Sequence, residues 1–187
     1  MPTVLQFRRG TTAQNNAFTG ADGELSIDSQ GDSIRVHDGS TAGGFETNAK
    51  QAKYADIAER YRADAEYSVG TVLCFGGDAE VTICEKADCN KIAGVVSSED
   101  TAYCVMNSPK GERDNPNFPP MALLGRVPCK VVGVVEKGDL MVSSGTPGHA
   151  QAFSGQINPM VGTVIGKAVE AKSESGSGVI EIVVGRL

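Results

Sequence analysis

The chain contains no tryptophan, and its aromatic content is only 5%. Large rings bury the most apolar area per residue, at about 25 cal/mol per Å². A core built with so few of them is thin, and thin cores are often supplemented by association. Positive charge is scarce too: 17 Lys and Arg stand against 23 Asp and Glu, for a net charge of −6. That balance argues against nucleic acid as a partner, because a phosphate-binding surface needs clustered cations. Protein and carbohydrate partners stay open. No run of about 18 apolar residues occurs, so no membrane span is expected. No apolar h-region follows Met1 either; the chain runs straight into Arg8-Arg9, and no signal peptide is expected.

Recognisable chemistry is also missing. The five cysteines (Cys74, Cys84, Cys89, Cys104 and Cys129) contain no C-x-x-C pair. The two histidines, His37 and His149, lie far from them in sequence. No metal and no cofactor is therefore expected, and the cysteines read as reduced, buried thiols of a protein made in a cytoplasm. The stretch from Gly162 to Lys167-Ala168 lacks the Ser or Thr of a phosphate loop. No G-x-S-x-G elbow exists. Carboxylates such as Glu99-Asp100 and Glu112 with Asp114 fall in loops, where they read as solvated charges rather than acid/base pairs. No catalytic residue is assigned.

What is present is β-branched residues and 23 glycines. Residues 121–142 are the densest apolar stretch, interrupted by Gly125, Pro128, Gly133 and Gly138. A helix there would absorb about 3 kcal/mol at the proline and about 1 at each glycine. The pattern instead predicts a strand, a break at Pro128, a second strand, a Lys-Gly-Asp turn and a third. Further strands are predicted over 69–75, 80–84, 91–97, 102–106, 161–170 and 178–184, with 139–143 closing the central group. Short strands at regular spacing predict an antiparallel β-barrel or sandwich over 67–187. Two loops interrupt it. Residues 108–120 are charged and Pro-rich, and a loop of that length projects or has a function; Arg113, Asp114, Asn117 and Phe118 are its candidate partner contacts. Residues 146–158 form the second loop and hold His149.

Before this domain, residues 3–9, 23–28 and 33–37 alternate as three short strands of an N-terminal module, 1–46. So small a sheet is marginal alone. It needs the rest of the chain or copies of itself. Residues 47–66 form a linker between the two parts. Ala49, Ala52, Ile57, Ala58 and Tyr61 give it a narrow apolar stripe behind a Thr47 or Asn48 cap, which allows one short helix or an extended thread. The fold class expected is all-β with at most that helix.

Three motifs, LQFRRGTT, GELSID and DSIRVHDGSTAGG, occur in order over residues 3–45. They resemble the N-terminal module of phage tail-fibre and tropism-determinant proteins. The resemblance implies a β-prism in which each chain's small sheet packs against two others, that is, a homotrimer. Residues 55–187 are similar in segment order to the C-terminal intramolecular-chaperone-type β domain of phage appendages. Self-cleaving members of that group cut before the Asp of Ser-Asp-x-Ala-Glu. Here Asp56 and Glu59 match, but Ala55 stands where the serine nucleophile would be. Without its hydroxyl the resemblance implies no self-cleavage. Together the two resemblances imply a non-enzymatic structural virion protein of a tailed phage, made in the host cytoplasm. It would be a trimeric tail fibre or fibre-like appendage for host attachment. Its partners would be other virion proteins of the tail or baseplate and a host surface glycan or protein. Two alternatives are a capsid decoration protein and a glycan-binding module using the loop rings Phe118 and Phe153.

Overall fold

The computed structural model describes residues 6–46, 56–109, 111–112, 114–155 and 161–185. Strands take 43% of the described residues and helix 4%, in keeping with the all-β expectation. The chain divides into two compact units, Met1–Lys50 and Gln51–Leu187.

The first unit holds β1 (Arg8–Gly10), α1 (Thr12–Ala17), β2 (Leu25–Asp28), β3 (Ser33–Val36) and β4 (Phe45–Glu46), in the sheet order β1-β2-β3-β4. β1 runs parallel to β2, and the other pairs are antiparallel. A parallel pair requires a crossover, and α1 lies within it. The signal for α1 is its capping box. Thr11 Oγ1 accepts from the Gln14 N–H at 3.3 Å, and Thr11 N–H donates to Gln14 Oε1 at 2.9 Å.

The second unit contains β5 (Asp56–Arg60), β6 (Val72–Phe75), β7 (Val81–Ile83), β8 (Ile92–Val96), β9 (Ala102–Met106), β10 (Pro120–Val132), β11 (Leu140–Ser143), β12 (Ala150–Ala152), β13 (Val164–Ala168) and β14 (Ser177–Val184). Antiparallel pairing runs β10-β14-β13-β11-β12, and β12 returns parallel to β10 at Val131↔Ala150. These strands close a five-stranded barrel, which removes the edges an open sheet would leave. Of the two architectures predicted, barrel or sandwich, the barrel is the one formed. The N-terminal part of β10 leaves the ring to pair with β5 and β8, and β8 continues through β6 to β7.

Three expectations are corrected here. The helix allowed over 47–66 is absent from its described part: Asp56–Arg60 is strand β5, held between β10 and β9. Residues 47–55 lie outside the described residues. Ladder bonds on both sides of β5 outweigh the weak helix preference of a short Ala stripe. Second, Pro128 does not end a strand; β10 runs through it for 13 residues. Lys130 N–H donates to Gly70 O at 2.8 Å, away from β14. Two residues earlier, Pro128 faces the same way, so its missing N–H removes nothing from the β10–β14 ladder. Third, the loop predicted over 146–158 contains β12, the strand that closes the barrel.

The barrel core is aliphatic and sulfur-bearing, with Val127, Cys129, Val131, Met141, Ile165, Ile180 and Ile182 buried together. Cys129 is wholly enclosed, and burial pushes its thiol up to about 12. That is the inert strand thiol the sequence reading expected.

Candidate functional site

The N-terminal sheet is inside out for a soluble β module. β2 and β3 alternate apolar and polar residues, and their register pairs Leu25 with Val36, Ser26 with Arg35, Ile27 with Ile34 and Asp28 with Ser33. Apolar residues therefore share one face and polar residues the other. The buried face is the polar one: Ser26, Asp28, Ser33, Arg35 and His37 are each at most 7% exposed. On the apolar face Leu25, Ile27 and Val36 are half-buried, while Ile34 and Phe45 are 45% and 46% exposed. Phe45 pairs with Val36 and extends that face onto β4.

The polar face stays buried because most of its hydrogen bonds are made; Ser33 Oγ and Arg35 Nε have no partner among the described residues. Asn15 of α1 donates through Nδ2 to Gly10 O, Thr11 O and Ile27 O at 3.0–3.2 Å. Its Oδ1 accepts from Ser26 Oγ at 2.9 Å. His37 Nδ1 accepts from Gly20 N–H at 3.2 Å, which leaves Nε2 as the protonated nitrogen of the neutral ring. Nε2 then donates to Ser26 Oγ at 2.9 Å, so the chain of donors runs in one direction, from imidazole to hydroxyl to amide. Asp28 accepts from Gly31 N–H, Thr12 Oγ1, Gln30 N–H and, at 3.2 Å, Arg35. The Gly31 N–H foremost holds its carboxyl below the usual range. A buried polar layer is tolerated when its groups are partnered in this way.

In the second unit the loop 108–120 folds back against the chain that follows β5. Arg60, 2% exposed, is its anchor. It bonds Phe118 O, Ser108 Oγ at 3.2 Å and Glu99 Oε1 at 2.5 Å. Arg62 lies 4.9 Å over the Phe118 ring and pairs with Glu112 at 3.6 Å. Ala63 N–H donates to Asn117 O. Of the predicted contact residues, Asp114 and Asn117 are exposed. Arg113 lies outside the described residues. Phe118 is 4% exposed and is part of the loop's own packing, not a ring offered to a partner. Phe153 is half-buried. Arg60→Ala should destabilise the second unit by about 3 kcal/mol, because it strands a carbonyl and a carboxylate that were built around a cation. Urea unfolding measures this, and a midpoint equal to that of the parent chain would refute the anchoring role.

Asp56 and Glu59, which the resemblance set in a cleavage-type motif, are separated by environment. Asp56 is 1% exposed; burial pushes its carboxyl up, and Ser97 Oγ donates to it at 3.1 Å. Its Oδ2 has no hydrogen-bond partner among the described residues. Glu59 accepts from the Tyr61 hydroxyl at 2.8 Å. Ala55 lies outside the described residues. The cysteines are not all the free thiols expected: Cys74 and Cys84 form a disulfide, and Cys89 Sγ lies 3.4 Å from Cys74 Sγ. The sequence hid this because the β6–β7 pairing, which sets Cys74 opposite Thr82, brings together residues 10 and 15 positions apart. Cys104 is an exposed thiol.

Comparison with known proteins places the resemblance in the first unit. Residues 5–41 match the family described as Major tropism determinant N-terminal domain. Over 45 residues the chain is 56% identical to the tail fiber receptor-binding protein of Bordetella phage BPP-1. That match takes in 24% of this chain and 12% of the relative. Among solved structures, the Major Tropism Determinant P3c and U1 variants align over 91% of this chain and 43% of theirs. Their identities are 19% and 21%, with TM-scores of 0.24 and 0.25. The chain thus spans only a small part of the curated relative and under half of those structures. The family match and the Bordetella phage BPP-1 relative support residues 5–41 as an N-terminal module of the tail-fibre, tropism-determinant type.

Proposed function

We propose that the chain is a structural component of the host-attachment apparatus of a tailed phage, and that it acts as a homotrimer. One observation carries the trimer: the first unit buries its polar face and leaves Leu25, Ile27, Ile34, Val36 and Phe45 on the other. A small sheet that turns its apolar side outward gains a core by packing that side against copies of itself. The match of residues 5–41 to a tail-fibre module supports the placement in the tail. The second unit then presents or braces the outward surface, with Asp114 and Asn117 on its long folded loop as candidate contacts for a host glycan or protein. Stacking of a sugar on Phe118 is disfavoured by that ring's burial. The role needs no catalysis, and Ala55 withholds the hydroxyl that self-cleavage would use.

Light scattering on the purified chain at micromolar concentration should give three times the 19.5 kDa protomer mass. A protomer mass would sink the proposal. Labelled antibody on intact virions should decorate tails, and decoration of capsids would replace the tail assignment with a head one.

A further inference from the structure

We propose that Cys74, Cys84 and Cys89, in their thiol form, make a binding site for one thiophilic metal ion of the zinc(II) class. Their sulfurs all lie within 4.8 Å of one another, with 3.4 Å between Cys74 and Cys89 and with Cys74 and Cys84 joined as a disulfide. Thiolates bound to one zinc ion at about 2.3 Å sit about 3.8 Å apart at tetrahedral angles. Reduction of the Cys74–Cys84 bond lets those two sulfurs part to that spacing, and the three then form the compact triangle such an ion takes. It does not suit thiol–disulfide exchange as well. In-line attack of Cys89 on a Cys74–Cys84 bond would spread the outer sulfurs to about 5.4 Å, beyond the 4.8 Å limit observed.

The protein holds this triangle in place without needing the metal. Cys74 lies on β6, and Cys84 follows β7 directly. Cys84 N–H donates to Val72 O at 3.1 Å, and Cys84 O accepts from Gly148 N–H at 2.8 Å. Ser143 of β11, wholly buried, fixes the far end of the loop. Its Oγ accepts from Cys89 N–H at 2.9 Å and donates to Lys86 O at 2.8 Å, and its carbonyl accepts from Asp88 N–H at 3.1 Å. Cys74 and Cys84 are buried and Cys89 is half-buried, so the open side of the triangle lies towards solvent at Cys89. A water completes the fourth position there. Loading releases the three thiol protons and replaces them with one dication, and no electron is transferred. The disulfide is the oxidised alternative of the same sulfurs; metal loading uses the thiols with which the chain is synthesised. Bound metal ties β6, the end of β7 and the loop to β11, a staple suited to a thin core.

The test uses the full chain, purified under reducing, oxygen-free conditions, with Co²⁺ as a spectroscopic probe and Zn²⁺ in competition against a chromophoric chelator. The expected result is one ion per chain, a thiolate-to-cobalt absorption band and a higher melting temperature with Zn²⁺. Cys89→Ser should weaken Zn²⁺ binding by about tenfold or more, while Cys104→Ser leaves it unchanged. Because Cys89 is partly exposed, its serine variant should fold, which circular dichroism checks. A second readout needs no variant: Zn²⁺ should slow alkylation of Cys89 in the parent chain, followed by peptide mass spectrometry. Absence of the thiolate band, binding that survives Cys89→Ser, binding lost with Cys104→Ser, or unchanged alkylation of Cys89 would each overturn the site.

Discussion

Ile34→Asp should convert the proposed trimer to folded monomers. Ile34 sits at the middle of the outward apolar face, paired with Ile27, and its side chain is 45% exposed in the protomer. Covering its remaining exposed part in an assembly contributes about 1 kcal/mol per protomer, and a carboxylate in its place must be desolvated beside two copies of itself at a cost of about 2 kcal/mol or more. Even at about 3 kcal/mol per protomer the loss is about 9 kcal/mol per trimer. The midpoint of a monomer–trimer equilibrium scales with the square root of its dissociation constant, so the midpoint concentration rises about a thousandfold. The fold should survive, because the bonds of the first unit run on the opposite face, from Asn15 through Ser26 to His37 and from Asp28 to Arg35. Light scattering reads the mass, and far-ultraviolet circular dichroism reads the fold. A variant that remains trimeric would remove the apolar face from the interface.

The second large effect is expected at Gly166→Ala. Gly166 lies on β13 between Met141 of β11 and Val184 of β14. A methyl group there would stand 2.1 Å from Val183 O and 2.9 Å from Val183 C. Those are backbone atoms of the neighbouring strand and cannot rotate away as a side chain can. Relief requires β13 and β14 to part, and both belong to the closed ring, so the strain passes to the whole barrel. Overpacking of this kind costs about 3 kcal/mol, at the upper end for one added methyl group. Urea unfolding of the second unit should show a clearly lower midpoint. If Gly166→Ala matched the parent chain, the close approach of β13 to β14 would be wrong.

These two sites differ in how far they could be read in advance. The alternation of β2 and β3 is plain in LSID and SIRV, and so is the need of so small a sheet for a partner. What the alternation does not carry is direction. A period of two separates two faces without saying which is inside. That choice was made by α1, whose Asn15 satisfies the polar face and makes it the buried one. Gly166 reads in sequence as a bend in an apolar strand. Its real constraint comes from Val183, 17 positions on in the chain, and no local pattern contains it. Loop 108–120 was legible as long, charged and rich in proline. Phe118 was misjudged as a ring for partners because Arg60, 58 residues away, draws its carbonyl inward.

By itself the sequence determined the class of the protein. Absent tryptophan and glycine-broken β-branched runs pointed to a thin-cored, all-β chain, the class the structure has. Three short motifs marked the N-terminal module that comparison supports over residues 5–41. Such features are local, written in neighbours two to four positions apart. Only the tertiary structure decided which face of the first sheet turns outward, that Ala150–Ala152 closes the barrel against Val131, and that three cysteines meet. Each of these depends on strands pairing across 10 to 60 positions of chain. Pairings of that kind are chosen by the packing of the whole and leave no period behind in the sequence.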